Sequence, residues 1–179
     1  MKIILAVIIL VILIGLGYWA YLAYPRAKAP VTVTLDPMNA TYMIEGQEVI
    51  LANGQEEKEM IPGSAIKTIT VALEQVAKSD LNNDGFDDAA LILMQNSGGS
   101  GTFFYVVVAL SSENGKVVGT NGVFFGDRIA PKNISILNKE ILVSYFDRAE
   151  GEPMTAQPSI EISKWFMVEG TILKEIKDK

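Results

Sequence analysis

Residues 80–88 read Asp80-Leu81-Asn82-Asn83-Asp84-Gly85-Phe86-Asp87-Asp88. Oxygen-bearing side chains fall at loop positions one, three, five and nine, and a glycine at position six permits a sharp turn between them. A hard divalent cation needs such crowding. Asp80, Asn82 and Asp84 would offer side-chain oxygens, Phe86 its main-chain carbonyl, and Asp88 a carboxylate directly or through water. Three carboxylates around calcium leave a net −1 site; without an ion they repel one another. The side chain of Asp87 is expected to point away. The plainer alternative is an Asx-rich turn, since Asn, Asp and Gly favour turns without any metal.

An EF-hand fails at position twelve, where Leu91 stands in place of a bidentate Glu. The flanking sequence alternates like strands rather than helices. The stretch D-L-N-N-D-G-F-D-D instead resembles the loops of FG-GAP and integrin-type repeats, in which such a loop bridges two strands. Propellers of that class repeat the motif; here it occurs once, so the resemblance implies a calcium loop and not a propeller.

Two further loops place Asp-Arg just beyond an aromatic strand end. Asp127-Arg128 follows Phe124-Phe125, and Asp147-Arg148 follows Tyr145-Phe146, with Glu150 and Glu152 close behind. These six residues are candidates for a shared rim that grips a partner; solvated ion pairs at turns are the blander reading. Paired carboxylates such as Asp127 and Glu150 raise the alternative of a carboxylate-based envelope hydrolase. A third alternative is an inhibitor that offers an acidic loop to an envelope-degrading enzyme.

Other chemistry is excluded. With no His and no Cys there is no Ser-His-Asp triad, no Cys-His pair and no ordinary zinc site. Ser64-Ala65-Ile66-Lys67 has the Ser-x-x-Lys spacing of penicillin-interacting enzymes but lacks their companion motifs. Gly98-Gly99-Ser100-Gly101-Thr102 lacks the Lys of a P-loop and reads as a flexible turn.

Beyond the calcium loop, GGSGTFFY, GTNGVFFGDRIAP and DRAEGEPM resemble segments of uncharacterised bacterial membrane-anchored envelope proteins. The resemblance covers most of the chain after the N-terminal segment. It implies a bacterial, extracytoplasmic protein and carries no activity or functional residues with it.

Residues 3–24 contain no charged side chain. At about 1.5 Å per residue they span roughly 33 Å as a helix, the thickness of a bilayer's hydrocarbon core. Tyr18, Trp19, Tyr21 and Tyr24 form an aromatic belt at one end. A cleaved signal peptide is the rival, with Ala27-Lys28-Ala29 as a cleavage site, but the apolar run exceeds the ~7–15 residues of a signal core. We expect a single-pass anchor in the cell membrane at 1–24, a proline-rich linker at 25–37 and an extracytoplasmic domain at 38–179. Excluding Lys2, Arg26 and Lys28 from the 15 basic residues leaves 12 against 21 acidic ones, a net −9. That balance disfavours nucleic acid and anionic surfaces, and leaves an unknown protein or envelope polymer as partner.

The elements that position these residues read as β. Segments 31–35, 41–44, 48–51, 68–75, 89–94, 102–110, 116–125, 134–137, 140–146, 160–168 and 171–176 carry strand patterns or β-rich composition. Residues 53–63 read as an acidic loop, and a short helix is possible near 64–67 or 76–79. The expected fold is mainly β, an antiparallel sandwich or curled meander of about eight to ten strands.

Overall fold

The computed structural model describes residues 35–177 together with residues 14–16, 18 and 19. The chain divides into two compact units, Met1–Val31 and Thr32–Lys179. The described residues of the first are helical, and Ile14, Leu16, Tyr18 and Trp19 are exposed. The rest of the predicted span at 3–24, and the linker up to residue 34, lie outside the described residues. No helix among the described residues is long and apolar enough to cross a membrane.

The second unit is mainly β, with twelve strands in antiparallel ladders. At its centre lie β5 (Asp88–Asn96) and β6 (Phe103–Leu110), paired from Ala89↔Ala109 to Gln95↔Phe103. Residues 88–93 and 104–110 are buried on both faces, which is why their sequences run apolar without alternation. One face carries Ala90, Ile92, Val106 and Val108; the other carries Ala89, Leu91, Leu93, Val107 and Ala109.

The first face packs on a four-stranded sheet of β9 (Ala130–Leu137), β10 (Glu140–Asp147), β11 (Ile160–Glu169) and β12 (Ile172–Ile176). Ile134, Ile141, Val143, Tyr145, Phe166 and Leu173 fill that interface. The second face is covered by a hairpin of β1 (Thr41–Ile44) and β2 (Gln47–Ile50), which buries Tyr42, Ile44 and Val49 and exposes the alternating positions. Its turn is Glu45-Gly46, with φ of +50° and +79°, the primed geometry that matches strand twist.

The six-stranded sheet runs β3 (Gln55–Glu59), β4 (Lys67–Ser79), β5, β6 and β7 (Val118–Gly119), and β8 (Val123–Asp127) also pairs with β6. The 13-residue β4 shifts register between Ala72 and Val76, and a shift of this kind bends a strand. Within that bend Gln75 donates to the Lys132 carbonyl of β9 (3.2 Å), and the sheet curls into a half-barrel. At the far side Asn121 accepts from the Leu173 N–H (2.9 Å) and donates to the Leu173 carbonyl (3.0 Å), joining β12 to the segment before β8.

Four expectations need correction. Residues 55–59 of the supposed loop form edge strand β3, whose exposed Gln-Glu-Glu-Lys-Glu shows no apolar alternation. The single strand at 116–125 is split at Thr120-Asn121, because Thr120 turns to bond β1 and Asn121 to bond β12. No helix forms at 64–67 or 76–79; among the described residues of this unit the helical element is a 3₁₀ turn at Pro37–Asn39, capped by the Asp36 carboxylate. Among the described residues there are twelve strands, against the eight to ten expected.

Candidate functional site

The 80–88 loop closes the β4–β5 hairpin at one pole of the sheet. Asp88 opens β5 opposite Ser79 and is fully buried. Its two carboxylate oxygens accept from the Leu81 N–H and the Ser111 N–H, each at 3.0 Å. Ser111 Oγ donates in turn to the Asp87 carbonyl (2.7 Å). The loop is thereby fastened to the end of β6 as well as to its own hairpin. Burial pushes the Asp88 carboxyl above the usual range, and the charges of Asp84 and Asp80 push the same way, against the pull of the two N–H groups.

The exposed half of the loop folds on its own amides. Asp80 accepts from Asp84 N–H (3.2 Å) and Gly85 N–H (3.3 Å). Asn82 Oδ1 accepts from Asp84 N–H (3.0 Å), and Asp84 accepts from Phe86 N–H (2.9 Å) and the Asn82 amide (3.0 Å). Asn83 and Gly85 turn the backbone through φ of +65° and +88°. Partial desolvation of Asp80 is outweighed by the N–H groups around it and by the Lys139 ammonium, which hold its carboxyl below the usual carboxylate range.

Lys139 reaches this loop from the turn between β9 and β10. Its ammonium bonds Asn83 Oδ1 and stands 3.6 Å from Asp80. The turn is Asn138-Lys139, both at positive φ, a costly conformation for a lysine. Sequence reasoning found the turn and missed its target, since nothing local pairs residues 56 positions apart.

As to calcium, the donors are all oxygens, the ligand type a hard cation takes. The Asp84 and Asp88 carboxylates each accept two N–H groups, and Asp80 is engaged by loop amides and by the Lys139 ammonium; a carboxylate has about four lone-pair sites. The side chains face the loop's amides, and among the described residues no three carboxylates are grouped closely enough to hold an ion.

The Asp-Arg loops lie at the opposite pole. Phe103, at the other end of β6 from Leu110, pairs with Asp127. Asp127 accepts from the Thr102 N–H (2.9 Å) and binds the Arg128 guanidinium (2.9 Å to Nη2). That guanidinium bond, helped by Thr102 N–H and opposed by desolvation, holds the Asp127 carboxyl below the usual range. Arg128 has φ +52° and donates its N–H to the Thr102 carbonyl (2.7 Å).

Arg148 brings the two loops together. Its buried side chain donates Nε to the Ala156 carbonyl (2.7 Å) and Nη1 to the Arg128 carbonyl (2.9 Å). Asp147 caps the Arg148 N–H (2.8 Å), and Glu152 accepts from the Ala149 N–H (2.9 Å). Glu150 is exposed beside them. The pole is thus a fastened corner in which Asp127, Asp147 and Glu152 each accept a main-chain N–H. Thr102, Ala156 and Ser111, which complete these contacts, carry no signal of that role in the sequence.

Comparison with protein-family models, with curated proteins and with solved structures gave no match to this chain.

Proposed function

We propose that the chain is a membrane-anchored, extracytoplasmic binding module of the bacterial envelope that takes up calcium at Asp80, Asn82, Asp84, Phe86 and Asp88. The carrying observation is that Asp88 ties this oxygen-rich loop to the ends of β4, β5 and β6 at once. An ion held there would neutralise the repulsion among Asp80, Asp84 and Asp88 and stiffen three strand ends, which is the action of a staple rather than a switch. Its competitor is Lys139, the cation already at the loop. Anchoring rests on the apolar run at 3–24, and the extracytoplasmic placement on the abundance of calcium outside cells and on the family resemblance.

The partner would be a protein or an envelope polymer, met at the exposed parts of the Asp127-Arg128 and Asp147–Glu152 loops. A hydrolase at those loops is the weaker reading. Asp127 is held ionised by Arg128 and so is a poor proton donor at neutral pH.

Calorimetric titration of the full chain with calcium, and of the Asp84→Asn variant beside it, tests the assignment. Wild type is expected to show saturable one-site binding in the ~10⁻⁵–10⁻³ M range of sensor and extracellular sites, weakened at least tenfold in the variant. Absence of heat up to about 10 mM calcium, or an unaffected variant, would remove the site.

A further inference from the structure

Strands β2 and β3 follow one another in the chain, yet they form a hairpin only at its root. Ala52 and Gln55 exchange main-chain bonds in both directions (2.9 and 3.2 Å). Continuing that register would place Ile50 opposite Glu57 and Glu48 opposite Glu59. Among the described residues no main-chain bond joins either pair, and β2 and β3 belong to different sheets. Side chains bridge the opening instead. Glu56 accepts from the Ile50 N–H (2.8 Å), and Lys58 donates to the Glu48 carbonyl (3.2 Å).

The result is a groove of about 250 Å³ bordered on one side by the β2 edge, whose Ile50 N–H and Glu48 carbonyl are taken by those side chains, and on the other by the β3 edge. It is smaller than the ~300–1,000 Å³ pockets that enclose small molecules, and suits a side chain on an extended backbone. Its lining includes Glu45, Glu48, Glu56 and Glu59 against Lys58, a net −3 from those five groups. Glu45 is fixed by the Tyr105 hydroxyl (2.9 Å) and Glu59 by the Gly63 N–H (2.8 Å), while Glu48 is exposed. Ile50, Met60 and Ile61 stand exposed close by. The protein's own Lys58 ammonium already lies across the gap, so the groove accepts an alkylammonium.

We propose that the open β2–β3 hairpin receives an extended, basic segment of a partner protein. Its main chain would pair with the edge of β3, which has β4 on its other side, and a Lys or Arg side chain would enter among the four glutamates. Strand addition supplies affinity through main-chain bonds, and side-chain pockets supply selectivity. Unpaired edges are otherwise a hazard that proteins cover or charge, and here the charge selects for a basic visitor. This inference stands apart from the calcium assignment and survives its failure.

The test uses the full-length chain in mild detergent and an eight-residue peptide alternating valine and lysine. The comparison peptides are its valine–glutamate counterpart, a version N-methylated at alternate residues, and spermidine. Saturable binding of the valine–lysine peptide is expected, with amide-signal changes confined to residues 45–60. The double variant Glu48→Gln, Glu56→Gln should weaken it about fivefold or more, and added salt should weaken it further. Glutamine at 56 keeps an acceptor for the Ile50 N–H, so the fold is preserved; a matching melting temperature checks this. Lack of saturable binding overturns the proposal. Equal binding of the N-methylated peptide or of spermidine also overturns it, leaving only a non-specific cation groove. Self-association abolished by the double variant, without peptide binding, assigns the gap to a second copy instead.

Discussion

Asp127 shows how a single carboxylate can belong to the fold more than to chemistry. Its acceptor oxygens hold the Thr102 N–H and the Arg128 guanidinium, and these favour its ionised form. An acid whose folded value lies below its unfolded value of about 4 binds fewer protons when folded. Its contribution is therefore complete above about pH 4 and is lost as the pH falls through the folded value. Asp127→Asn should lower the melting temperature by a constant amount near neutrality, and that difference should shrink on acidification below about pH 4. A difference that widens toward acid would show that Asp127 is not held ionised by Arg128. Asp88, fully buried and proposed to bind an ion, follows a different logic, because burial raises its value and a bound cation would bring it down.

At the scale of elements, the β1–β2 hairpin is held to the body by close approach. Met43 N–H donates to the Thr120 carbonyl (3.1 Å), and Gly122 N–H donates to the Met43 carbonyl (2.7 Å). A Cβ on Gly119 would stand 2.1 Å from the Thr41 carbonyl oxygen, so β7 can lie against β1 only as glycine. Gly119→Ala is expected to cost about 1–3 kcal/mol or more by overpacking. Exchange of the Met43 and Gly122 amide hydrogens should accelerate with it, while β10 and β11 amides change less. Wild-type stability in this variant would mean that the strands do not approach so closely.

Much of this level was legible in the residues. The runs at 89–94 and 102–110 are apolar on both faces because a layer covers each side, and period-two patterning marked 68–75, the first part of β4. The edge strand β3 was hidden, since its stability comes from pairing with β4 and its polar side chains look like a loop. The break at Thr120-Asn121 was equally hidden, because the partners of those two residues are Met43 and Leu173, far away in sequence. The 80–88 loop was recognisable from spacing alone, whereas Ser111 and Lys139, which fasten it, were not.

At the largest scale, β5 and β6 are the axis of the second unit, since both of its hydrophobic clusters draw on them. The nine residues of β5 span about 26 Å at ~3.3 Å per step, with the oxygen-rich loop at one end and the arginine-clamped corner at the other. β10 runs between the same poles, from the Lys139 turn to Asp147. Both hydrophobic clusters draw on β5 and β6, so the proposed ion, bracing their ends at Asp88 and Ser111, would act on the stability of the entire unit.

That linkage makes the thermal melt the most direct measurement. Full-length chain is melted in chelator and in calcium at about 100 times the dissociation constant, where one-site binding adds about 2.7 kcal/mol. For a unit of this size the melting temperature should rise by roughly 5–10 °C, and the Asp84→Asn variant should lose most of that rise. A melting temperature that is the same in chelator and in calcium would contradict the calcium assignment outright.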